Sequence, residues 1–378
     1  MRAGVATSMA THAAGTDLAL NVALSVVTGG PREAPDTAAW ELAAHIAPVS
    51  KSLRAIVNDW RATVSKLNLC SRLTDAEMWL LSARCRKLRT LRLVPPAVFD
   101  DEERAVYTLS SFAMTTLGLG CRGLTSLELP YHMRMTESDL GLFLGELSSL
   151  RRLKISHYED EVPELMDGSF LRVLGRSCPM LEELDLFREG VCPGIGNNSA
   201  AFAALSIGCP HLRVLYAEYS DVTSASLCAL VRNSQQQIRE LHLSHAHLDD
   251  TAVFAVATHC SNLELLDISC AVLRSGRVSD ATITSLARHC PQLRKLDLFS
   301  ACDSITDDSV LELTNHCRRL EHLCLAHAVN LTDVTARAIL DRLSALIYAD
   351  VWACAGFSER YREAFATRFA RGSRWVRR

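Results

Sequence analysis

An α/β solenoid is the fold class predicted for this chain of 378 residues. Parallel strands would line the inside of a horseshoe, helices would cover the outside, and a short all-helical segment would precede them. Three observations carry this. First, a phrase repeats: Leu124-x-x-Leu127-x-Leu129 recurs at Leu150/Leu153/Ile155, Leu181/Leu184/Leu186, Ile238/Leu241/Leu243, Leu263/Leu266/Ile268, Leu293/Leu296/Leu298 and Leu320/Leu323/Leu325. Second, the interval is regular, with first positions 26, 31, 25, 30 and 27 residues apart where two of these copies are adjacent. Third, Cys85, Cys121, Cys178, Cys209, Cys260, Cys290 and Cys317 each stand three residues before the first leucine of a copy.

Phrase and period together are the leucine-rich-repeat signature. Weaker copies extend it: Val64/Leu67/Leu69, Leu88/Leu91/Leu93, Leu212/Leu215/Ala217 and Leu346/Ala349/Val351. The array covers residues 64–354 and has about eleven repeats, with the atypical ones at its ends, where capping units belong.

One repeat, residues 293–319, shows the logic. Leu293-Arg-Lys-Leu296-Asp-Leu298 alternates apolar and polar, as a strand with one buried face does. Phe299–Ser304 turns the chain. Ile305-Thr306-Asp307 begins a helix, with Thr306 as N-cap and acids suited to the helix dipole. Val310, Leu311, Leu313 and Cys317 form its apolar stripe. The cap recurs as Leu73-Thr74-Asp75, Val278-Ser279-Asp280 and Leu331-Thr332-Asp333, and Thr74 with Glu77 reads as a capping box. A single unit cannot bury its own leucines, so stability must come from stacking.

Composition agrees. Hydrophobic residues are 48% and charged residues 22%, ordinary for a globular chain, and the net charge of -3 points to neither nucleic acid nor an anionic membrane. No stretch approaches ~18 uninterrupted apolar residues, so no transmembrane helix is expected. The N-terminus lacks a secretory pattern. Fourteen cysteines then read as buried, reduced thiols stacked from repeat to repeat, in the cytoplasm or nucleus. No C-x-x-C pair suggests a metal.

The remaining segments flank the array. Residues 1–15 are expected to be disordered. In 16–61, Asp17–Val26 reads as a helix with Leu18, Val22 and Val26 on one face. Thr28–Asp36 is a Gly/Pro loop, Thr37–Ala47 is helical, and Leu53, Ile56 or Val57, and Trp60 share a further helical face. In 355–378, Phe357, Tyr361, Phe365 and Phe369 are spaced by four on a capping helix, followed by a basic tail with Arg371, Arg374, Arg377 and Arg378.

The cysteine before the strand and the Ile/Leu-Thr-Asp that opens the helix resemble the cysteine-containing class of leucine-rich repeats found in F-box proteins, the substrate receptors of cullin-RING ubiquitin ligases. Three short helices before the repeats match the F-box layout. Val49-Ser50-Lys51-Ser52-Leu53-Arg54 is similar to that family's Val-(Ser/Cys)-Lys-x-Trp-Arg, and Asp59-Trp60 followed by Leu67-Asn68-Leu69 is similar to its exit. The chain departs from the pattern at the absent Leu-Pro opening, at Leu53 in place of tryptophan, and in a longer first loop. The resemblance implies that Leu18, Val22, Val26, Val49 and Leu53 contact a Skp-type adaptor, which is joined to a cullin. A helical cap that only shields the first repeat is the other reading of this segment.

Strand alternation also places the exposed columns. Candidate partner-binding residues are Glu128, Asp185, Tyr216, His242, Asp267, Asp297 and Asp350 between the last two leucines. Phe187, Phe299 and Trp352 follow just after the strand, and Tyr131, Tyr219, His245 and His327 come one residue later. Aromatics beside acids suit an interface, although Asp in Leu-Asp-Leu also reads as a routine solvated strand residue. Ala326 between Phe299 and Trp352 predicts a groove between two aromatic walls. Acidic insertions at Asp100–Glu103 and Glu159–Glu161 suit a basic partner.

No Walker loop, dinucleotide fingerprint, zincin helix or nucleophile elbow occurs. His242-x-x-His245-x-His247 is not expected to bind metal, because His242 and His247 fall on opposite faces of a continuing strand. Neither a catalytic residue nor a cofactor is expected. The expected function is substrate recognition in an SCF-type ubiquitin ligase, with a protein target on the concave face. The alternative is a non-catalytic scaffold within a larger assembly.

Overall fold

The computed structural model describes residues 24–26, 64–69, 75–93, 109–130, 136–158, 168–186, 188–189, 198–219, 222–234, 237–270 and 278–369. The chain divides into two compact units, residues 1–147 and 148–378. Both are built from the same strand–helix unit, the leucine-rich-repeat fold.

In the first unit, strands β1 (Leu24–Val26), β2 (Val64–Leu69), β3 (Thr90–Leu93) and β4 (Ser126–Pro130) are accompanied by helices α1 (Asp75–Arg84), α2 (Ser111–Gly120) and α3 (Glu137–Gly145). β2, β3 and β4 are parallel, with Leu67, Leu91 and Leu127 in register. These leucines are buried, as are Met78, Leu81, Met114 and Leu117 on the helices behind them. β1 runs antiparallel to β2, with Leu24 opposite Leu67 and a bulge between Ser25 and Val26. This corrects the helix expected through Val26. The outer edge of a first parallel strand presents a row of backbone donors and acceptors, and a short antiparallel strand satisfies them.

The second unit contains β5 (Arg152–Tyr158), β6 (Glu183–Asp185), β7 (Arg188–Glu189), β8 (Val214–Tyr216), β9 (Glu240–His242), β10 (Leu265–Asp267), β11 (Lys295–Asp297), β12 (His322–Cys324) and β13 (Tyr348–Asp350). Its helices are α4 (Phe170–Ser177), α5 (Ser199–Gly208), α6 (Ser224–Asn233), α7 (Asp250–His259), α8 (Asp280–His289), α9 (Asp307–His316), α10 (Asp333–Arg342) and α11 (Glu359–Arg368). The strands are parallel from β5 through β6, β8 and on to β13, and β7 pairs outside that path with β5. One row of core residues runs in register through Leu153, Leu184, Leu215, Leu241, Leu266, Leu296, Leu323 and Ala349. Every member is at most 2% exposed, so the phrase read from the sequence is the spine of the core.

The cysteine ladder is the second element of repetition. Cys121, Cys178, Cys209, Cys260, Cys290 and Cys317 are buried C-caps whose N–H groups bond four residues back. Their thiols reach the previous repeat: Cys209 Sγ donates to the Cys178 carbonyl (3.3 Å), Cys290 to Cys260 (3.4 Å) and Cys317 to Cys290 (3.6 Å). A thiol is small enough for this contact and adds a second donor to a carbonyl that already accepts the N–H three residues on, as Cys178 does from Leu181, Cys260 from Leu263 and Cys290 from Leu293.

Helix starts differ from expectation in one respect. Ser279 accepts the Thr282 N–H as a cap should, but Thr306 makes no side-chain cap bond. Its hydroxyl donates instead to Asp280 of the preceding repeat. Thr74 lies outside the described residues; a capping box is formed by Thr136 and Asp139. At the C-terminal end, Phe357, Phe365 and Phe369 are buried and packed on one another, with ring centroids 5.9 and 5.7 Å apart. Arg368 donates to the carbonyls of Leu340 and Leu343, which ties α11 to the end of α10.

Candidate partner-binding face

The middle column is in register as read from the sequence. Lys154, Asp185, Tyr216, His242, Asp267, Asp297, Cys324 and Asp350 are successive neighbours across the second unit, and Asn68, Arg92 and Glu128 are neighbours in the first. Register alone does not make a residue available. Asp350 is 1% exposed and Asp185 8%, so both carboxylates belong to the wall of the face.

Three of the acids share a structural task. Asp267 accepts the N–H of Ser269 (2.9 Å), Asp297 that of Phe299 (3.0 Å) and Asp350 that of Trp352 (3.0 Å). Each carboxylate closes the turn that follows its strand, as Asx turns do. The next residue along then takes the left-handed backbone conformation. This happens in six repeats, at Tyr219, His245, Cys270, Ser300, His327 and Ala353, with φ between 52° and 72°. A non-glycine residue stays there when its surroundings over-determine it. Here the N–H of the left-handed residue bonds to the following repeat in five cases: Tyr219 to Ser244, His245 to Ser269, Cys270 to Phe299, Ser300 to Ala326 and His327 to Trp352.

The aromatic rings stack from repeat to repeat. Tyr216 lies on His242 with centroids 4.2 Å apart and planes 21° apart, and Tyr219 lies on His245 at 4.2 Å and 14°. His327 stands edge-on to Phe299 at 5.4 Å and to Trp352 at 4.7 Å. The expected groove over Ala326 is therefore filled. Ala326 is fully buried, and the left-handed turn at His327 sets the imidazole between the two walls. Trp352 remains 45% exposed and Tyr219 43%.

A shallow depression of about 150 Å³ lies beside these stacks, lined among others by His242, Asp267, Lys295, Asp297, His322 and Tyr348. Burial pushes the Asp297 carboxyl above its ordinary value; the Phe299 N–H opposes this, and Asp267 and Asp350 add to it. Burial likewise raises Glu218, against the pull of His242. The face is thus rich in half-buried acid. Lys154 in this unit is engaged by Asp185 at 3.1 Å; in the first unit, Arg92 is engaged by Glu128 at 2.6 Å.

Sequence reasoning missed Glu218, Glu240, His322 and Tyr348. The signal was present. Glu218 falls in the same column as Phe299 and Trp352. Glu240, His322 and Tyr348 occupy the position just before the second leucine, which alternation also turns outward. His322 and Tyr348 stack at 5.7 Å. Tyr131 and Phe187 lie outside the described residues, as do Leu18, Val22, Val49, Leu53 and the two acidic insertions. Val26 lies in β1. His242, His245 and His247 do not converge: His245 stacks on Tyr219, and His247 bridges in the backbone to Thr223.

Repeat phrase, parallel register and stacked caps make this a leucine-rich-repeat protein. No protein-family model matches the sequence. Among solved structures, the chain is similar to the yeast Rad7 and Elc1 complex at 15% identity and a TM-score of 0.48, covering 86% of this chain and 89% of that one. It is also similar to an internalin from Listeria monocytogenes at 15% identity and a TM-score of 0.43, covering 82% and 94%.

Proposed function

We propose that the chain is a non-catalytic receptor subunit that holds a target protein on the exposed sheet face of its second unit, as the substrate-recognition component of an SCF-type ubiquitin ligase. The observation that carries the binding reading is the ring series Phe299–His327–Trp352 beside the half-buried acids Asp267 and Asp297. Aromatic anchors held rigid by their neighbours lose little entropy on binding, and acids at their edge select a basic target segment. Ubiquitin transfer would then be positional: the target is kept at high local concentration near a catalytic subunit, and this chain supplies no acid, base or nucleophile. Support for the ligase assignment comes from the F-box-like residues Val49–Arg54 and from the repeat class. The buried thiols fit a reducing compartment, cytoplasm or nucleus.

The strand at Leu24–Val26 favours a second reading. A strand there departs from a three-helix adaptor-binding layout, and a scaffold within another assembly needs only the repeats. Affinity purification of the full chain distinguishes the two. Co-purification of a Skp-type adaptor and a cullin, lost in Leu18→Asp/Val22→Asp, supports the receptor. A stable complex without them supports the scaffold.

A further inference from the structure

Beside the aromatic series, three adjacent repeats converge on one point of the second unit. Glu218 follows β8, His242 ends β9 and Asp267 ends β10. A carboxylate oxygen of Glu218, a ring nitrogen of His242 and a carboxylate oxygen of Asp267 all lie within 4.8 Å of one another, and all three residues are half-buried. We propose that this cluster is a binding site for a divalent first-row transition-metal ion such as Zn²⁺.

Three observations carry it. His242 is held by its two ring nitrogens between different carboxylates: Nδ1 lies 3.8 Å from Glu218 Oε1, and Nε2 lies 3.4 Å from Glu240 Oε2. A proton on Nε2 donated to Glu240 leaves Nδ1 bare and aimed at Glu218, which is the arrangement of a ligating histidine oriented by an outer carboxylate. The ring plane is fixed as well, because Tyr216 stacks on it at 4.2 Å. Asp267 spends one oxygen on the Ser269 N–H, so its carboxylate is oriented by the turn while its second oxygen remains available to a cation.

The donor set selects the ion. One imidazole nitrogen with two carboxylate oxygens suits Zn²⁺, Co²⁺, Ni²⁺ or Mn²⁺, whereas Mg²⁺ and Ca²⁺ prefer an all-oxygen shell. Ligand–metal distances of ~2.1 Å bring such donors to ~3.0–3.4 Å from one another, a closure that side-chain rotation supplies. Three protein ligands leave coordination positions open on the exposed side of the sheet. The site is distinct from the His242/His245/His247 set, whose second and third members point elsewhere.

The test uses the full chain after treatment with a chelator, titrated with Co²⁺ and followed by visible absorption, with Zn²⁺ binding by calorimetry. One Co²⁺ per chain is expected, giving d–d bands without thiolate charge transfer. Zn²⁺ should raise the melting temperature. Glu218→Gln, His242→Gln and Asp267→Asn should each weaken binding at least ~10-fold, and Glu240→Gln about 10-fold through loss of the orienting carboxylate. Exposed His211→Gln should bind as wild type. Asp267→Asn keeps the acceptor for Ser269, so it reports on ligation with the turn intact; circular dichroism checks the fold of each variant. No saturable 1:1 binding, wild-type binding by Glu218→Gln and Asp267→Asn, or a thiolate band that places the ion on cysteine would each overturn the assignment.

Discussion

Asp280 binds Thr306 twice: one carboxylate oxygen accepts the Thr306 backbone N–H and the other its hydroxyl, both at 2.7 Å. The two residues stand at the same helix start in consecutive repeats. Asp250 does the same for Ser279 (2.8 Å twice), Asp307 for Thr332, and Asp333 takes the Ser358 N–H at 2.7 Å. The first-turn acid therefore serves the next helix as well as its own dipole. It connects repeats on the helix side as the cysteine thiols do at the opposite helix end.

Breaking a rung should loosen the stack. Asp280→Ala removes both charge-assisted bonds to Thr306 together with the Ser309 bond and leaves the Thr306 N–H without its acceptor, at a cost of about 1–2 kcal/mol given partial solvent exposure. Urea denaturation of the variant against wild type measures it. Thr306→Ala removes the hydroxyl bond alone and should cost less than half as much.

Acid should act through the same rungs. Burial raises the Asp280 and Asp307 carboxyls, but the Ser309 and Thr306 bonds to the first and the Thr332 and Thr335 bonds to the second outweigh it, so both lie below the ordinary value. Their contribution is complete above the unfolded aspartate value of ~3.9 and is lost as pH falls through the lower folded values. These groups should therefore leave the melting temperature unchanged between pH 7 and about 5 and should make it fall below about 4. In Asp280→Asn/Asp307→Asn that acid-dependent fall should be shallower.

Thiol reactivity should be divided. Burial pushes Cys121 up to about 11 and Cys178, Cys209, Cys290 and Cys317 up to about 12, so little thiolate exists at pH 8. Among the described cysteines, Cys228 and Cys270 are half-buried and the other ten are buried. Brief alkylation of the native protein with peptide mapping should label Cys228 and Cys270 well ahead of the ladder. Equal labelling throughout would refute the buried ladder.

Gly208→Ala should invert the usual helix preference. Alanine in a helix normally gains about 1 kcal/mol over glycine. At Gly208, however, an added Cβ would overlap the Gly175 carbonyl oxygen of the neighbouring helix. Separating α5 from α4 to admit it should cost about 2–3 kcal/mol. Gly175→Ala would overlap the Ala204 carbonyl and should also destabilise. Chemical denaturation of both variants checks the sign.

Trp352→Ala should separate binding from folding. With Trp352 45% exposed, its loss should change stability by less than about 1 kcal/mol while weakening the target complex at least ~10-fold. His327→Ala removes two edge-on ring contacts, so it should lower stability by about 1 kcal/mol as well as affinity. Equilibrium unfolding alongside affinity for the purified target reads both quantities. A loss of more than ~3 kcal/mol in Trp352→Ala would show the ring to be core.

Much of this molecule was legible from the chain because the repeat is a local object. Period-2 alternation around Leu296, the interval to Leu323 and the cysteine at 317 determine which side chains enter the core, and burial leaves no other register open. The columns of the exposed face followed by the same alternation. What lay beyond local pattern was every relation that joins one repeat to the next. That Asp280 caps Thr306, that Cys290 donates to Cys260 and that His327 fills the space between Phe299 and Trp352 depend on stacking distance and on left-handed turns, which no spacing encodes. The strand at Leu24–Val26 was hidden for a related reason: its sequence is compatible with a helix, and only the edge of β2 makes a strand the better partner. The sequence by itself determined the repeat, its core and its outward columns, because hydrophobic periodicity acts within a unit. The tertiary structure decided which outward residues are exposed and which meet, because backbone and side-chain hydrogen bonds between units set that geometry.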